Sequence, residues 1–160
     1  MRVVLLAVGR LKAGPARELA ARYTERAHKA GRSIGIRGLE IIEIDESRAR
    51  RAADRLSEEN LGLAGALPEN AAIIALDADG TSLSSTAFAT RLGQWREQAR
   101  PATAFLIGGA DGLAVELKER AALRLSFGAA TWPHQLVRIM LLEQIYRAVT
   151  ILSGHPYHRD

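Results

Sequence analysis

The sequence feature that most constrains the fold is an alternation, repeated five times, of a short aliphatic run with a longer segment of helical period. This alternation is typical of an α/β domain, because parallel strands need crossover helices and are covered on both faces. The predicted strands span residues 3–8, 39–44, 71–76, 102–107 and 123–127. We therefore expect an α/β fold with a five- to six-stranded, mostly parallel sheet and helices on both faces.

Local signals place the helices between these runs. Pro15 suits the first position of the first helix, and Ser47 is a good N-cap for the second. The third helix is predicted over residues 85–99, and a short fourth follows Gly112. The fifth, over residues 133–153, is apolar on more than one face, so it needs burial beyond its own sheet. We expect a second subunit to supply that burial.

The chain has 160 residues and shows no internal repeat or linker, so a single domain over residues 1–160 accounts for all of it. It has no cysteine, which excludes disulfides, thiolate metal sites and cysteine nucleophiles, and which permits an intracellular location. Charged residues at 138, 143 and 147 interrupt the apolar fifth helix, which does not suit a membrane span. We expect a soluble protein.

The charge is unevenly distributed around a net value of +4. Residues 1–39 carry nine basic and two acidic side chains, residues 40–116 carry seven and thirteen, and residues 117–160 carry six and three. Basic ends around an acidic middle suit an RNA held by the termini. Solvated helix faces explain the same counts equally well.

Three loops after the third, fourth and fifth predicted strands hold the unusual residues. Because ligands bind outside the carboxyl ends of parallel strands, these loops are predicted to meet around a ligand. They read Leu76-Asp77-Ala78-Asp79-Gly80, Ile107-Gly108-Gly109-Ala110-Asp111-Gly112 and Ser126-Phe127-Gly128-Ala129-Ala130-Thr131-Trp132-Pro133-His134. Glycines and small residues let main-chain groups approach a flat base such as adenine.

The glycines at 108, 109 and 112 also allow two other interpretations. A dinucleotide fingerprint would need G-x-G-x-x-G after an early strand and an acidic residue about twenty positions later, and this spacing is missing. The glycines can equally form only a tight strand-to-helix connection.

The last eight residues are the second concentration of chemically versatile side chains. Gly154 and Pro156 end the fifth helix, so Tyr157, His158 and Arg159 are predicted to project on a short arm. Histidine can move a proton near neutral pH, tyrosine can stack on a base, and arginine can hold a phosphate. A frayed terminus is the alternative.

The remaining histidines and charged residues have two interpretations each. His134 either caps the fifth helix or lines the ligand site. Glu143 and Arg147 are four residues apart and could form only a surface ion pair. On so apolar a helix, Arg138 and Arg147 are also candidates for an interface or an active site. His28 is predicted to be solvated.

Taken in order along the chain, these segments resemble the RlmH-type ribosomal RNA large-subunit methyltransferases, the smallest enzymes of the SPOUT class. The resemblance covers essentially the whole chain. It is carried by Leu76-Asp77 with Gly80, the stretch 84–89, Phe105-Leu106-Ile107-Gly108-Gly109-Ala110-Asp111-Gly112-Leu113, Thr131-Trp132-Pro133-His134-Gln135-Leu136-Val137-Arg138 and His155-Pro156-Tyr157-His158-Arg159.

The resemblance implies a C-terminal trefoil knot and an enzyme that uses S-adenosylmethionine to methylate N3 of a pseudouridine in 23S rRNA of the assembled ribosome. It implies a cytoplasmic homodimer that uses no metal. The cofactor would be surrounded by Leu76, Gly108, Gly109, Phe127, Gly128, Ala129, Ala130, Thr131 and Trp132. The tail would lie beside these loops in a pocket completed by the dimer, where Arg138, Arg147, His134 and His155 would contact RNA or the pocket.

Within this resemblance, His158 is the first candidate for removing the N3 proton, and Tyr157 and Arg159 would position the base or stabilise its developing charge. Two other classes remain open: a non-catalytic RNA-binding factor of ribosome maturation and a nucleotide-binding α/β enzyme. Ligand-induced thermal shifts separate the three classes. Stabilisation by S-adenosylhomocysteine but not by NADH or ATP supports the methyltransferase, and RNA binding without any ligand response supports the non-catalytic factor.

Overall fold

The aliphatic runs form one parallel sheet in the computed structural model, which describes residues 1–158. The strands are β1 (Arg2–Val8), β2 (Leu39–Ile44), β3 (Ala72–Ser82), β4 (Ala102–Ile107) and β5 (Leu123–Ser126). They lie in the order β2-β1-β4-β3-β5, and each neighbouring pair is parallel. The carboxyl ends of all these strands therefore face one edge of the sheet, as the predicted α/β fold requires.

Helices cover both faces of this sheet. They are α1 (Pro15–Gly31), α2 (Ala52–Gly65), α3 (Ser85–Glu97), α4 (Val115–Glu119) and α5 (His134–Leu152), with a short 3₁₀ turn at Arg32–Ile34. Alternate residues of β1 serve the two faces: Val3, Leu5 and Ala7 join a core with α1, α3 and α5, and the residues between them join a core with α2 and α4. Full burial of each such leucine or valine contributes about 1.5–3 kcal/mol.

The predicted start of α2 was wrong. Helix α2 begins at Ala52, and its N-cap is Arg51 in an extended conformation. Ser47 is occupied elsewhere: its hydroxyl donates to Glu58 Oε2 at 2.5 Å and accepts from the Ala49 amide at 3.1 Å. A serine that closes a local turn is not available to cap a helix five residues later.

Strand β3 is longer than the predicted run 71–76 because it continues through an irregularity. Both Leu76 and Thr81 pair with Leu125 of β5, so the four residues between them bulge out of the ladder. Gly80 permits this path, since a Cβ there would lie 2.6 Å from the carbonyl oxygen of Arg124. The bulge brings Asp77 and Ala78 to the carboxyl edge of the sheet.

Helix α5 is buried within its own chain to a greater extent than its apolar sequence pattern predicted. Leu141, Leu142, Ile145 and Val149 are at most 1% exposed. Helices α1 and α3 pack against α5 on the same side of the sheet, and this accounts for its wide apolar surface. Leu136 remains 46% exposed near the start of the helix. Within residues 1–158, no helix is long and apolar enough to cross a bilayer.

Candidate active site

A cavity of about 310 Å³ lies at the carboxyl edge of the sheet, where the loops after β3, β4 and β5 meet. The lining includes eight of the nine predicted cofactor residues: Leu76, Gly108, Gly109, Phe127, Gly128, Ala130, Thr131 and Trp132. His134 also lines it, at the first turn of α5. Ala129 is exposed and does not belong to the lining. The three loops thus surround one space, as their positions after parallel strands predicted.

The loop after β4 forms one wall through a very close approach of its own backbone. The Gly112 amide donates to the Gly109 carbonyl at 3.0 Å, and Gly112 has a positive φ of 82°. A Cβ at Gly108 would lie 2.3 Å from the Gly112 oxygen. Since that neighbour is backbone and cannot rotate away, residue 108 has to be glycine for the wall to keep this shape.

The buried hydroxyl of Ser126, the first residue of the third loop, joins the first and third loops, a role that its position in the sequence did not predict. It donates to the Ala78 carbonyl at 3.0 Å and accepts from the Gly128 amide at 3.1 Å. Gly128 itself has a φ of 103°. A serine at the end of a strand carries no sequence signal of this role, because both of its partners are main-chain groups.

Asp77 brings a negative charge to the cavity wall. Its side chain is only 6% exposed and is paired with Arg124 at 2.8 Å and Lys118 at 3.3 Å. Burial alone would raise the pKa of Asp77, but the hydrogen bonds from the Asp79 amide, Arg124 and Lys118 outweigh it and hold the pKa below its ordinary value. Asp77 is therefore a carboxylate at neutral pH.

The C-terminal tail folds back onto α5 around Glu143. Arg147 donates to Glu143 Oε1 from Nη2 at 2.6 Å, and the Tyr157 hydroxyl donates to the same oxygen at 3.2 Å. The Arg147 guanidinium also lies 4.9 Å from the centre of the Tyr157 ring. His158 Nδ1 is 3.5 Å from Arg147 Nη1. The predicted i,i+4 pair of Glu143 and Arg147 is thus also the anchor of the tail.

The other two tail residues singled out by the sequence are placed differently. His155 is exposed, and its Nδ1 accepts from the Tyr157 amide at 3.2 Å, which closes the turn of the tail. Arg159 lies outside the residues that the structure describes.

Within one chain, the tail and the cavity are apart. Of the described tail residues, 153–158, none lines the cavity. Their anchor Glu143 follows His134 by nine residues of α5, which is about 13 Å along the helix axis. Between them lies a second space of about 630 Å³, which is lined by Glu143 and by Phe127 and Gly128, two residues that it shares with the first cavity. The predicted proximity of tail and cofactor loops is therefore not seen among the described residues of a single chain.

Arg138 is placed inside the protein, with 0% of its side chain exposed. Its Nη1 pairs with Glu43 at 2.5 Å, and its Nη2 donates to the Gly9 carbonyl at 2.8 Å. In this position it joins α5 to the ends of β1 and β2 and does not present its guanidinium to solvent. No local pattern predicts this arrangement, because Glu43 is 95 residues away along the chain.

The sequence matches the family model described as Predicted SPOUT methyltransferase over residues 1–158. Proteins called ribosomal RNA large subunit methyltransferase H in Rhodopseudomonas palustris strain HaA2 and in Bradyrhizobium sp. strain ORS 278 are 60% and 57% identical to it over 159 residues. Each alignment covers 99% of this chain, with 99% and 98% of the respective relative.

Two solved structures are similar at lower levels. A probable methylase family protein from Haemophilus influenzae Rd KW20 aligns over 99% of this chain and 70% of its own, with a TM-score of 0.49 and 11% identity. The SpoU methyltransferase AviRb from Streptomyces viridochromogenes, in complex with AdoMet, aligns over 91% and 56%, with a TM-score of 0.40 and 12% identity. From the family match and the full-length relatives, the chain belongs to the SPOUT methyltransferase family.

Proposed function

We propose that this protein transfers a methyl group from S-adenosylmethionine to ribosomal RNA of the large subunit. The observation that carries the proposal is the glycine-walled cavity at the carboxyl edge of the sheet, in a chain whose full-length relatives are called ribosomal RNA large subunit methyltransferase H. The proposed target, after the family resemblance, is N3 of a pseudouridine in 23S rRNA of the assembled ribosome. A ribosomal target would place the reaction in the cytoplasm. The C-terminal trefoil knot stays a prediction.

The cavity suits an adenosyl group. Its volume of about 310 Å³ lies at the lower end of the range for small-molecule pockets, and its walls are mostly main chain and apolar side chains. The backbone of Gly108 and Gly109 can approach a flat ring closely, because no side chain intervenes. We therefore assign cofactor binding to the lining residues and to the flanking Ala129.

When bound, S-adenosylmethionine supplies an already activated methyl group, so the chain's own residues mainly have to align the target base and exclude water. Trp132 is 44% exposed at the cavity and offers an aromatic surface for a base. No residue is required to hold a metal in this scheme. The remaining chemical task is removal of the N3 proton.

We assign that task to His158, with Tyr157 and Arg159 positioning the base. The contact with Arg147 sets a condition: a guanidinium only donates hydrogen bonds, so it uses the lone pair of His158 Nδ1. To accept a proton at Nδ1, His158 has to break its contact with Arg147 and turn towards the target pseudouridine. In the proposed homodimer, the tail of one subunit would reach the cavity of its partner, and Arg147 and His155 would contribute to that shared pocket. His134 would contact the bound molecules from the first turn of α5.

Arg138 has a different part in this proposal. Because its guanidinium is fully buried within the chain, we assign it the role of fixing the start of α5, and therefore His134, against the ends of β1 and β2. A direct contact with RNA would require it to leave Glu43.

The test has two parts. Isothermal titration calorimetry with S-adenosylhomocysteine, NADH and ATP should show binding of the first alone. Transfer of labelled methyl groups should then be measured on ribosomes from a strain that lacks the native enzyme, with naked 23S rRNA alongside, and the product mapped by mass spectrometry. Methylation of one pseudouridine on ribosomes supports the proposal. Binding of NADH or ATP without S-adenosylhomocysteine would contradict it, and RNA binding with no ligand binding would favour a non-catalytic factor.

A further inference from the structure

Helix α2 contacts the glycine loop after β4 from behind, although α2 does not line the cavity. The clearest contact is a two-point ion pair. Arg55 Nε donates to Asp111 Oδ2 at 2.8 Å, and its Nη2 donates to Asp111 Oδ1 at 3.1 Å. The side chains are 30% and 23% exposed, respectively. Two parallel hydrogen bonds between planar groups fix orientation as well as distance, so the pair holds the middle of the loop in one place.

Asn60 forms a hydrogen bond with the same loop, and Glu59 packs against its start. Asn60 Oδ1 accepts from the Ala114 amide at 2.8 Å, where the loop enters α4. Glu59 is 4% exposed and lies against Gly109, where an added Cβ would be 2.5 Å from Glu59 Oε2. That oxygen is buried and has no hydrogen-bond partner among the residues that the structure describes. The loop is thus supported at its start, its middle and its end.

Arg55 and Glu59 are themselves held in place by further hydrogen bonds to the main chain. Arg55 Nη1 donates to the carbonyl oxygens of Ala49 and Arg50 at 3.2 and 3.0 Å, and Glu59 Oε1 accepts from the Ser47 amide at 3.0 Å. These contacts tie α2 to the loop that precedes it. The support therefore combines hydrogen bonds from Arg55 and Asn60 with the packing of an anchored Glu59, and it costs more to deform than a single contact.

We propose that Arg55, Glu59 and Asn60 are positioning residues for the cofactor: they hold residues 108–114 in the binding shape before the cofactor arrives. The inference rests on the proposed function. A site made largely of main-chain groups binds well only when the main chain is already in place. If the binding shape is populated for only part of the time, the apparent dissociation constant rises in inverse proportion to that fraction.

The experiment compares two aspartates that each form a two-point pair with an arginine. Asp111→Ala removes the pair with Arg55. Asp45→Ala is the matched control, because Asp45 pairs with Arg10 at 2.8 and 3.3 Å in other loops of the same edge. Arg55→Ala breaks the first pair from the other side, and Arg55→Lys keeps its charge but not its two-point geometry. Calorimetry with S-adenosylhomocysteine gives the affinity of each protein, and circular dichroism checks its fold.

We expect Asp111→Ala and Arg55→Ala to weaken binding about tenfold, Arg55→Lys to fall between them and wild type, and Asp45→Ala to stay within about twofold. In methyl transfer to ribosomes, KM for S-adenosylmethionine should rise while kcat at saturation changes less than about twofold, because bound cofactor itself holds the loop. A merely structural role would lower the amount of active protein and hence kcat instead. If either alanine variant does not fold, Asp111→Asn replaces it, and we expect an intermediate loss of affinity.

Two outcomes separate this inference from the function on which it rests. Wild-type protein that binds no S-adenosylhomocysteine would overturn both. Wild-type binding, together with affinities for Asp111→Ala and Arg55→Ala no weaker than that of Asp45→Ala, would overturn the positioning role alone.

Discussion

The hydroxyl of Tyr157 donates a hydrogen bond to Glu143 Oε1 at 3.2 Å, and this contact fixes the C-terminal tail to the middle of α5. The Tyr157 ring also packs on Tyr146, with 4.6 Å between ring centres. The same carboxylate receives Arg147, so one acidic side chain orients both a phenol and a guanidinium next to His158. Tyr157 and His158 are therefore ordered by a contact that lies outside the cavity at the carboxyl edge of the sheet.

The first prediction concerns the pH dependence of this contact. Burial, followed by the negative charge of Glu143, raises the pKa of Tyr157 to about 12. A raised pKa means that the folded state favours the neutral phenol. The contribution of Tyr157 to stability is thus complete below the unfolded pKa of about 10 and is lost as pH rises towards 12. Denaturant unfolding of wild type and Tyr157→Phe at pH 8 and pH 11 should show wild type losing stability relative to the variant at pH 11. An unchanged difference between the two proteins would contradict the assignment.

The second prediction concerns the buried guanidinium of Arg138. Glu43→Gln removes its ion-pair partner and leaves a charge inside the protein. Because Glu43 is itself 31% exposed, we expect a loss of about 2 kcal/mol in the free energy of unfolding, less than for a fully buried pair. Glu40→Gln, on the same strand, is the control: its pair with Arg2 is 53–59% exposed, and the loss should stay below about 1 kcal/mol. Equal losses for the two variants, measured by urea unfolding, would refute the structural role of Arg138.

The third prediction concerns the glycine wall of the cavity. Gly108→Ala places a methyl group against the Gly112 backbone, so the loop has to move. We expect a stability loss of about 2 kcal/mol and a loss of S-adenosylhomocysteine binding. Gly65→Ala is the control, since no heavy atom lies within 4 Å of its added Cβ, and its helical position should make it neutral or up to about 1 kcal/mol stabilising. Calorimetry that finds wild-type affinity in Gly108→Ala would show that this wall does not form the binding site.

Local sequence patterns were sufficient for the presence of the five strands, though not for the continuation of β3, and for the meeting of the three loops. The run 102–107 is fully aliphatic apart from Thr103 and Phe105, and the structure places β4 on the same six residues. Parallel strands bring the loops that follow them to one edge of the sheet, and this rule correctly predicted that Leu76, Gly108 and Phe127 lie around one space. Both results depend on periodicity and direction, which a single sequence contains.

The contacts that complete the site depend on residues far apart along the chain, and no local pattern signals them. Arg55 meets Asp111 across 56 residues, and Ser126 meets Ala78 across 48. Ser47 matched the preferred type of an N-cap, yet the tertiary contact with Glu58 uses its hydroxyl instead. Residue type therefore indicated which side chains could form functional contacts, whereas the tertiary fold determines which partners they contact.

The most direct test of the account is complementation between subunits. We propose a site made of the cavity of one subunit and the tail of its partner. Gly108→Ala should abolish the first and His158→Ala the second, so each variant alone should lose methyl transfer to ribosomes. A heterodimer of the two, co-expressed with different affinity tags, would contain one intact cavity facing one intact tail. The account predicts that it recovers about half of the wild-type rate per dimer. A purified heterodimer as inactive as its two parents, or His158→Ala alone with the wild-type rate, would contradict it.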